Sequence, residues 1–249
     1  MKQKIIFILL PAVICLMMYG CSSSKQIERE EKPKVKVEEK PKLNVIKNND
    51  FEERELRKTQ KIQSLDKIEF DYNFWGKLGN PQKISQTKYN EAGFATGMVF
   101  YTKDGKVDQR YEYVYDQNGL RTATERYNGD GMADKTFRYE YNKFGNKIKA
   151  SRYSMTGKLE KYYLYSYDNS GNLIEERWYD VSGKLEFRII YKYDDGGNKT
   201  EAISFNTDGD RIAKSTYKYD SKGKIIEEDR YKDDSGSPYG IIQYVYKFY

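Results

Sequence analysis

Glycine recurs at a fixed interval of 26 residues along most of this chain. Two interleaved series share the interval. Their members are Gly93, Gly119, Gly145, Gly171, Gly197 and Gly223 in one series, and Gly79, Gly105, Gly131, Gly157, Gly183 and Gly209 in the other. Self-similarity at such a period indicates one supersecondary unit that is stacked on copies of itself. The chain is therefore predicted to be a tandem-repeat protein.

Each of these glycines closes a four-residue group that predicts a β-turn. The first residue of the group is nearly always Asp, Asn, Ser or Thr, as in Asn90 before Gly93 and Asp168 before Gly171. A short acceptor at the first position and glycine at the fourth favour a type I turn. The intervening segments are rich in Tyr, Ile, Thr and Val, which indicates strands. We predict an all-β fold, an antiparallel meander of about 14 strands that forms a long twisted or partly rolled sheet.

The chemistry of neighbouring strands suggests a register for one hairpin. If Asp180–Gly183 is the loop, Tyr179 faces Lys184 and two opposite-charge pairs follow on one face. The other face then collects Trp178, Leu185, Phe187, Ile174 and Ile189. This agreement between charge pairing and apolar alternation supports the register.

Tyrosine forms three columns at the repeat interval. Two columns lie on the predicted apolar face, and they comprise Tyr113, Tyr139, Tyr165, Tyr191 and Tyr217, and then Tyr115, Tyr141, Tyr167, Tyr193 and Tyr219. A third column ends the shorter strands on the charged face, and from it we predict the binding residues Tyr127, Tyr153, Tyr179 and Tyr231. The alternative is structural: the columns are the core of a thin sheet, and the third column only covers the stems of Lys184, Lys158 and Lys106.

The N-terminal segments predict secretion and anchoring. Residues 1–20 have a basic start and an apolar run, and they resemble a bacterial lipoprotein signal that ends at Gly20 before a lipidated Cys21, although Met18 and Tyr19 depart from the usual pattern. The alternative, a transmembrane anchor, needs a longer apolar run. We assign residues 21–49 to a tether rich in Lys, Glu and Pro, 50–66 to a short helix opened by a capping box, and 67–249 to the β-repeat domain.

Composition excludes several function classes. There is no histidine, and Cys21 is the one thiol left once the signal is removed, so we predict no enzyme, no cofactor and no metal site. The segments Asn128–Gly131 and Asn206–Asp210 look like calcium loops only superficially, because the same positions are turns in repeats without acidic clusters. From Thr87 onward 27 Lys and Arg meet 26 Asp and Glu, which disfavours nucleic acid as a partner.

An outer-membrane barrel is disfavoured by charge on both faces of the predicted sheet. The hairpin register places Glu176 and Arg152 on one face and Arg177 and Glu201 on the other. A band that faces lipid does not tolerate charges in mid-strand.

The recurring pattern Tyr-x-Tyr-Asp/Asn-x-x-Gly-Asn, found at Tyr139–Asn146, Tyr165–Asn172 and Tyr191–Asn198, resembles the tyrosine–aspartate repeats of Rhs-type bacterial proteins and teneurins. The shorter Tyr153–Lys158 and Tyr179–Lys184 resemble the membrane-occupation repeat motif. The resemblance implies hairpin meanders and a surface adhesion or carbohydrate-contacting role. It does not imply a toxin function, because the repeats are too few to enclose a cargo.

Together these features predict a non-catalytic lipoprotein of the cell envelope, anchored in the outer membrane. Its repeat sheet would act as a binding or adhesion module, with a glycan or another envelope protein as partner. The alternative is a structural spacer, or a subunit of an envelope complex, that has no ligand of its own.

Overall fold

The computed structural model describes residues 49–232 and 235–249. The predicted signal segment, Cys21 and the predicted tether up to residue 48 lie outside the described residues. The described residues form one helix, α1 (Asn49–Thr59), and fourteen strands. The strands are β1 (Ile62–Asp71), β2 (Gln82–Tyr89), β3 (Ala95–Tyr101), β4 (Val107–Tyr115), β5 (Arg121–Asn128), β6 (Ala133–Tyr141), β7 (Lys147–Ser154), β8 (Leu159–Tyr167), β9 (Leu173–Asp180), β10 (Leu185–Tyr193), β11 (Lys199–Phe205), β12 (Arg211–Tyr219), β13 (Ile225–Lys232) and β14 (Gly240–Phe248).

The sheet closes into a barrel, which corrects the prediction of an open or partly rolled sheet. Every strand pairs antiparallel with its neighbours in sequence, and β1 also pairs with β14. Closure satisfies the main-chain groups of the two strands that would otherwise be edges. The segment predicted as helix over 50–66 divides between α1 and the start of β1, and Lys61, which has a φ of 53°, separates them.

The predicted turns are confirmed at eleven of the repeat glycines. Glycines at the fourth turn position have φ between 68° and 86°. The side chain at the first position caps the turn: Asp168 Oδ1 accepts from the main-chain N–H groups of Ser170 at 2.9 Å and Asn172 at 2.8 Å. The first hairpin is an exception, because its turn glycine is Gly76 and not Gly79.

The hairpin register is shifted from the predicted one by a bulge. Asp180 bonds Lys184 through the main chain, Leu185 faces Tyr179, and Phe187 then faces Trp178 because Glu186 is an extra residue. A three-residue loop followed by a bulge is a common hairpin geometry. A second bulge turns Ile174, predicted on the apolar face, toward solvent.

The two tyrosine columns predicted on the apolar face line the barrel interior. Fourteen strands enclose a wider space than short side chains fill, and large rings occupy it. One buried cluster joins Tyr139, Tyr163, Tyr165, Trp178 and Tyr191 across β6 to β11. A second cluster includes Met98, Phe100, Tyr111 and Tyr244 from β3, β4 and β14.

The second tyrosine column also holds the bulges in place. Each of its hydroxyls donates to a main-chain carbonyl twenty residues earlier in the chain, as from Tyr167 to Lys147 at 2.8 Å and from Tyr193 to Leu173 at 2.8 Å. The accepting residue lies directly before the extra residue of a bulge, such as Ile148. The hydroxyl thus satisfies a carbonyl near the irregular point of the strand ladder.

Candidate functional site

The predicted binding column lies on the outer surface of the barrel. Its rings are half-buried, and cationic side chains cover three of them: Arg110 lies 4.2 Å from the Tyr127 centroid, Arg138 5.2 Å from Tyr153, and Lys214 4.5 Å from Tyr231. Tyr179 instead stacks on the ring of Tyr162 at 5.0 Å. The covering side chains differ from the lysines named in the structural alternative. A binding role for this column stays a prediction.

The interior carries charged side chains that the sequence analysis did not single out as a site. Four buried cations lie over tyrosine rings: Arg121 over Tyr113, Lys147 over Tyr165, Lys199 over Tyr217 and Lys67 over Tyr244, at 3.8, 4.3, 4.2 and 4.3 Å from the centroids. A cation over an aromatic face is stabilised by the ring quadrupole. The rings therefore lower the cost of burying these cations.

Two carboxylates are buried in the same interior. Glu176 Oε1 accepts from the Tyr191 hydroxyl at 2.6 Å. Glu228 accepts from Tyr244 at 2.9 Å and from Ser215 at 2.7 Å. Burial raises the pKa of Glu176 to about 7, although the Tyr191 hydrogen bond and the charge of Lys147 oppose this rise.

Cations and carboxylates occupy alternative positions of the repeat. The strands β5, β7 and β11 have Arg121, Lys147 and Lys199 at one interior position and Thr124, Ala150 and Ala202 three residues later. At the same two positions, β9 has Leu173 followed by Glu176, and β13 has Ile225 followed by Glu228. Each of these five strands thus places one ionisable group at these interior positions.

Helix α1 packs against one end of the barrel. Arg57 Nε donates to the Gly93 carbonyl at 2.9 Å, and Arg54 lies 4.6 Å from the Phe94 centroid. Lys224, in the turn between β12 and β13, donates at 2.7 Å to Oε1 of Gln60, the residue that follows the helix. Two turns of the barrel thus hold the helix and the residue that follows it.

A cavity of about 340 Å³ lies beneath α1. Its described lining includes five cationic residues, Arg57, Lys67, Arg121, Lys199 and Lys224, and one acidic residue, Glu53. The uncharged polar part of the lining consists of Thr87, Asn198 and six tyrosines: Tyr89, Tyr113, Tyr193, Tyr219, Tyr244 and Tyr246. The apolar part consists of Leu56, Ile62, Leu65, Ala95, Met98 and Ile225.

Ion pairs link nearby strands close to the other end of the barrel. Arg126 pairs with Asp134 at 2.5 Å, and Glu160 accepts from both Lys135 and Arg152, at 2.6 and 3.1 Å. Asp134 lies three residues after Gly131, the end of the loop that superficially resembles a calcium loop. Its carboxylate is engaged by the arginine here.

Two further findings concern metal ions and helices. Within residues 53–232 and 235–249 no three side chains of the His, Cys, Asp or Glu type come together as a metal site. In the same part of the chain, no helix has the length and apolar character needed to cross a membrane.

No protein-family model and no curated protein matches this chain. Among solved structures, the chain is similar to a porin-like protein from Bacteroides uniformis, with 13% identity, 76% of this chain and 97% of that chain covered, and a TM-score of 0.44. It is also similar to a DUF1329 family protein from Desulfovibrio piger, at 10% identity, 80% and 92% coverage and a TM-score of 0.29. A chain of the Photorhabdus luminescens Tc holotoxin pore matches at 12% identity and a TM-score of 0.19, with 70% of this chain and 14% of that chain covered. Likeness at these values carries no argument about function, so the resemblance to tyrosine–aspartate repeats stays a prediction.

Proposed function

We propose that this chain is a non-catalytic binding protein of the cell envelope, and that its barrel holds a small anionic ligand in the cavity beneath α1. The observation that carries the proposal is the charge of the cavity lining, where five cationic residues meet one acidic residue. An anion placed among these side chains is attracted by the excess positive charge of a site that protein encloses in part, so that water screens the attraction less than it would on an open surface.

The apolar part of the lining narrows the kind of ligand. Leu56, Leu65 and Met98 contribute a surface that favours a hydrocarbon or aromatic group, while tyrosine hydroxyls supply directional donors. The volume lies at the lower end of the range for small-molecule sites. An amphipathic anion, such as an aromatic or aliphatic acid, matches this combination.

The first test measures the binding of an anionic and a neutral probe. We expect 1-anilinonaphthalene-8-sulfonate to bind the folded protein, and Lys199→Gln to weaken its binding about tenfold, which corresponds to about 1.4 kcal/mol. N-phenyl-1-naphthylamine has the same aromatic frame without the sulfonate, and its affinity should change little. Fluorescence titration gives both dissociation constants, and near-ultraviolet circular dichroism checks that the variant is folded.

The control variant is Lys192→Gln on the outer surface. Lys192 is exposed and pairs with Glu201 at 2.7 Å across β10 and β11. Equal affinity of the sulfonate probe for the two variants would contradict a cationic site in the cavity.

The envelope location rests on the N-terminal sequence and on the outer surface. Gly20 and Cys21 resemble the processing site of a lipoprotein, so the proposed membrane contact is a lipid on Cys21. The outer surface carries ion pairs in mid-strand, as between Lys149 and Glu140 at 2.8 Å. Such pairs are typical of a sheet that faces water.

A second candidate function is adhesion through the outer tyrosine column. The observation that favours it is the row of half-exposed rings with Arg or Lys beside them, which offers stacking and charge to a glycan or an envelope protein. We expect the double change Tyr153→Ser and Tyr179→Ser to keep the thermal stability and to reduce retention on isolated envelope several-fold.

The matched control for that test is the pair Val114→Ser and Ile148→Ser, which removes exposed apolar side chains elsewhere on the outer surface. A large loss of thermal stability would assign the column to the fold. Intact folding with unchanged retention would contradict adhesion and leave the structural-spacer role for this surface.

A further inference from the structure

The first turn of the barrel presents two aromatic side chains to solvent. Phe74 and Trp75 lie in the connection between β1 and β2, and they are 92% and 79% exposed. Their rings meet edge to face with the centroids 5.2 Å apart. Leu78, three residues after Trp75, is also exposed.

The geometry of this turn does not require aromatic residues. Asn73 Oδ1 accepts from the main-chain N–H groups of Trp75 at 2.9 Å and Lys77 at 3.0 Å, as in the other capped turns. Gly76 takes the left-handed conformation with a φ of 68°. At the eleven other turns of this kind in the described residues, at least one of the two central residues is polar, charged or glycine. The aromatic pair therefore has a reason other than the turn.

The pair lies at the end of the barrel opposite α1, because β1 runs away from the helix. The β3–β4 turn is at the same end, two strands away, which is about 10 Å. It carries the exposed Lys103 and Lys106, and Lys77 lies two residues after Trp75. Exposed lysines thus lie beside the protruding aromatic rings, and Lys106 is also paired with Asp104 at 2.9 Å.

We propose that this loop is a contact site for a lipid surface. Tryptophan and phenylalanine prefer the boundary between headgroups and acyl chains, and neighbouring lysines are attracted to anionic headgroups. The rings project from the barrel instead of lining a groove, which suits a deformable surface better than a rigid partner. The site is separate from the cavity beneath α1 and does not depend on lipidation of Cys21.

The test uses Trp75 as a local reporter in the full chain. The protein has two tryptophans, and Trp178 is buried in the barrel interior, so Trp178→Phe leaves Trp75 as the sole emitter. With vesicles of phosphatidylethanolamine and phosphatidylglycerol, we expect Trp75 emission to move to shorter wavelength and lipids with brominated chains to quench it. Because the readout is local, attachment of the N-terminal segment to vesicles does not imitate this result.

A matched variant is Phe74→Asn in the Trp178→Phe background, since Asn169 occupies the same place in the turn that begins at Asp168 and the change adds no charge. We expect at least a several-fold loss of quenching at an unchanged thermal stability. Trp75 emission that vesicles leave unchanged, in a protein shown to be folded by circular dichroism, would overturn the proposal. A shift caused only by lipid-free envelope polymer or protein would also overturn it, and it would assign the loop to that partner.

Discussion

The free energy of unfolding is expected to fall as the pH rises from about 4.5 to 7, and Glu176→Gln should remove most of this dependence. Glu176 is fully buried, and its pKa is raised to about 7 by that burial. In the unfolded chain the carboxyl releases its proton near pH 4.5, whereas in the barrel it keeps the proton until about pH 7. Between these values the folded state binds more protons, so stability decreases with rising pH, by on the order of 3 kcal/mol in total.

The absence of histidine makes this prediction easier to test. No other side chain of ordinary pKa titrates between about pH 5 and 7, so the slope there isolates buried carboxyl groups. Glutamine keeps an acceptor for the Tyr191 hydroxyl and cannot ionise. Denaturant unfolding at pH 4.5, 6 and 8 gives the free energy of unfolding of both proteins. The value for Glu176→Gln should rise relative to that of the parent protein as the pH rises.

The control for Glu176 is its neighbour on the outer face. Glu175 pairs with Arg177 at 2.5 Å in contact with solvent, so Glu175→Gln should leave the slope between pH 5 and 7 almost unchanged. If the free energy of unfolding depends on pH with the same slope in the parent protein and in Glu176→Gln, the prediction that Glu176 is a buried carboxyl with a raised pKa is wrong.

The residue types within each repeat made the turns and strands predictable. They did not determine whether the first and last strands of the sheet pair with each other. The turn at Asp168–Gly171 follows from two residue types and the φ that glycine allows. Closure depends instead on the pairing of Ile62–Asp71 with Gly240–Phe248, two segments at opposite ends of the repeat array. A 26-residue period describes contacts between neighbours and contains no information on that long-range pairing.

The interior charges escaped the sequence analysis because they interrupt the repeat. The predicted faces did place Glu176 and Arg152 together, but the full burial of Glu176 and the partial burial of Arg152 depended on closure. Lys147 and Glu176 stand in different strands at positions three residues apart in the repeat unit, so neither position forms a constant column. The sequence did contain a signal, because the residues at these two repeat positions change together. Repeats with an aliphatic residue at the position of Lys147 have glutamate three residues later, and repeats with a cation there have threonine or alanine three residues later. A comparison of the repeats in pairs would have revealed it.

Gly93→Ala is expected to release α1 from the barrel and open the cavity beneath it. A Cβ atom at Gly93 would lie 2.3 Å from the carbonyl oxygen of Arg54 and 3.1 Å from the main-chain nitrogen of Lys58. Because both atoms belong to the helix backbone, the helix must move. The hydrogen bond from Arg57 to the Gly93 carbonyl and the packing of Arg54 on Phe94 would then weaken.

The matched control for Gly93→Ala is Gly157→Ala, which separates helix displacement from backbone strain. The φ values are 80° and 79°, so both variants bear the cost of alanine in the left-handed region, about 1–2 kcal/mol. Nothing lies within 4 Å of a Cβ atom at Gly157. We therefore expect hydrogen exchange in residues 53–59 to accelerate at least tenfold in Gly93→Ala only, while the strands of β6 to β11 keep their protection. Faster entry of the anilinonaphthalene probe should accompany this loss, because α1 covers the cavity. If exchange in the helix is equally slow in the two variants, α1 is not seated on the Gly93 turn in solution.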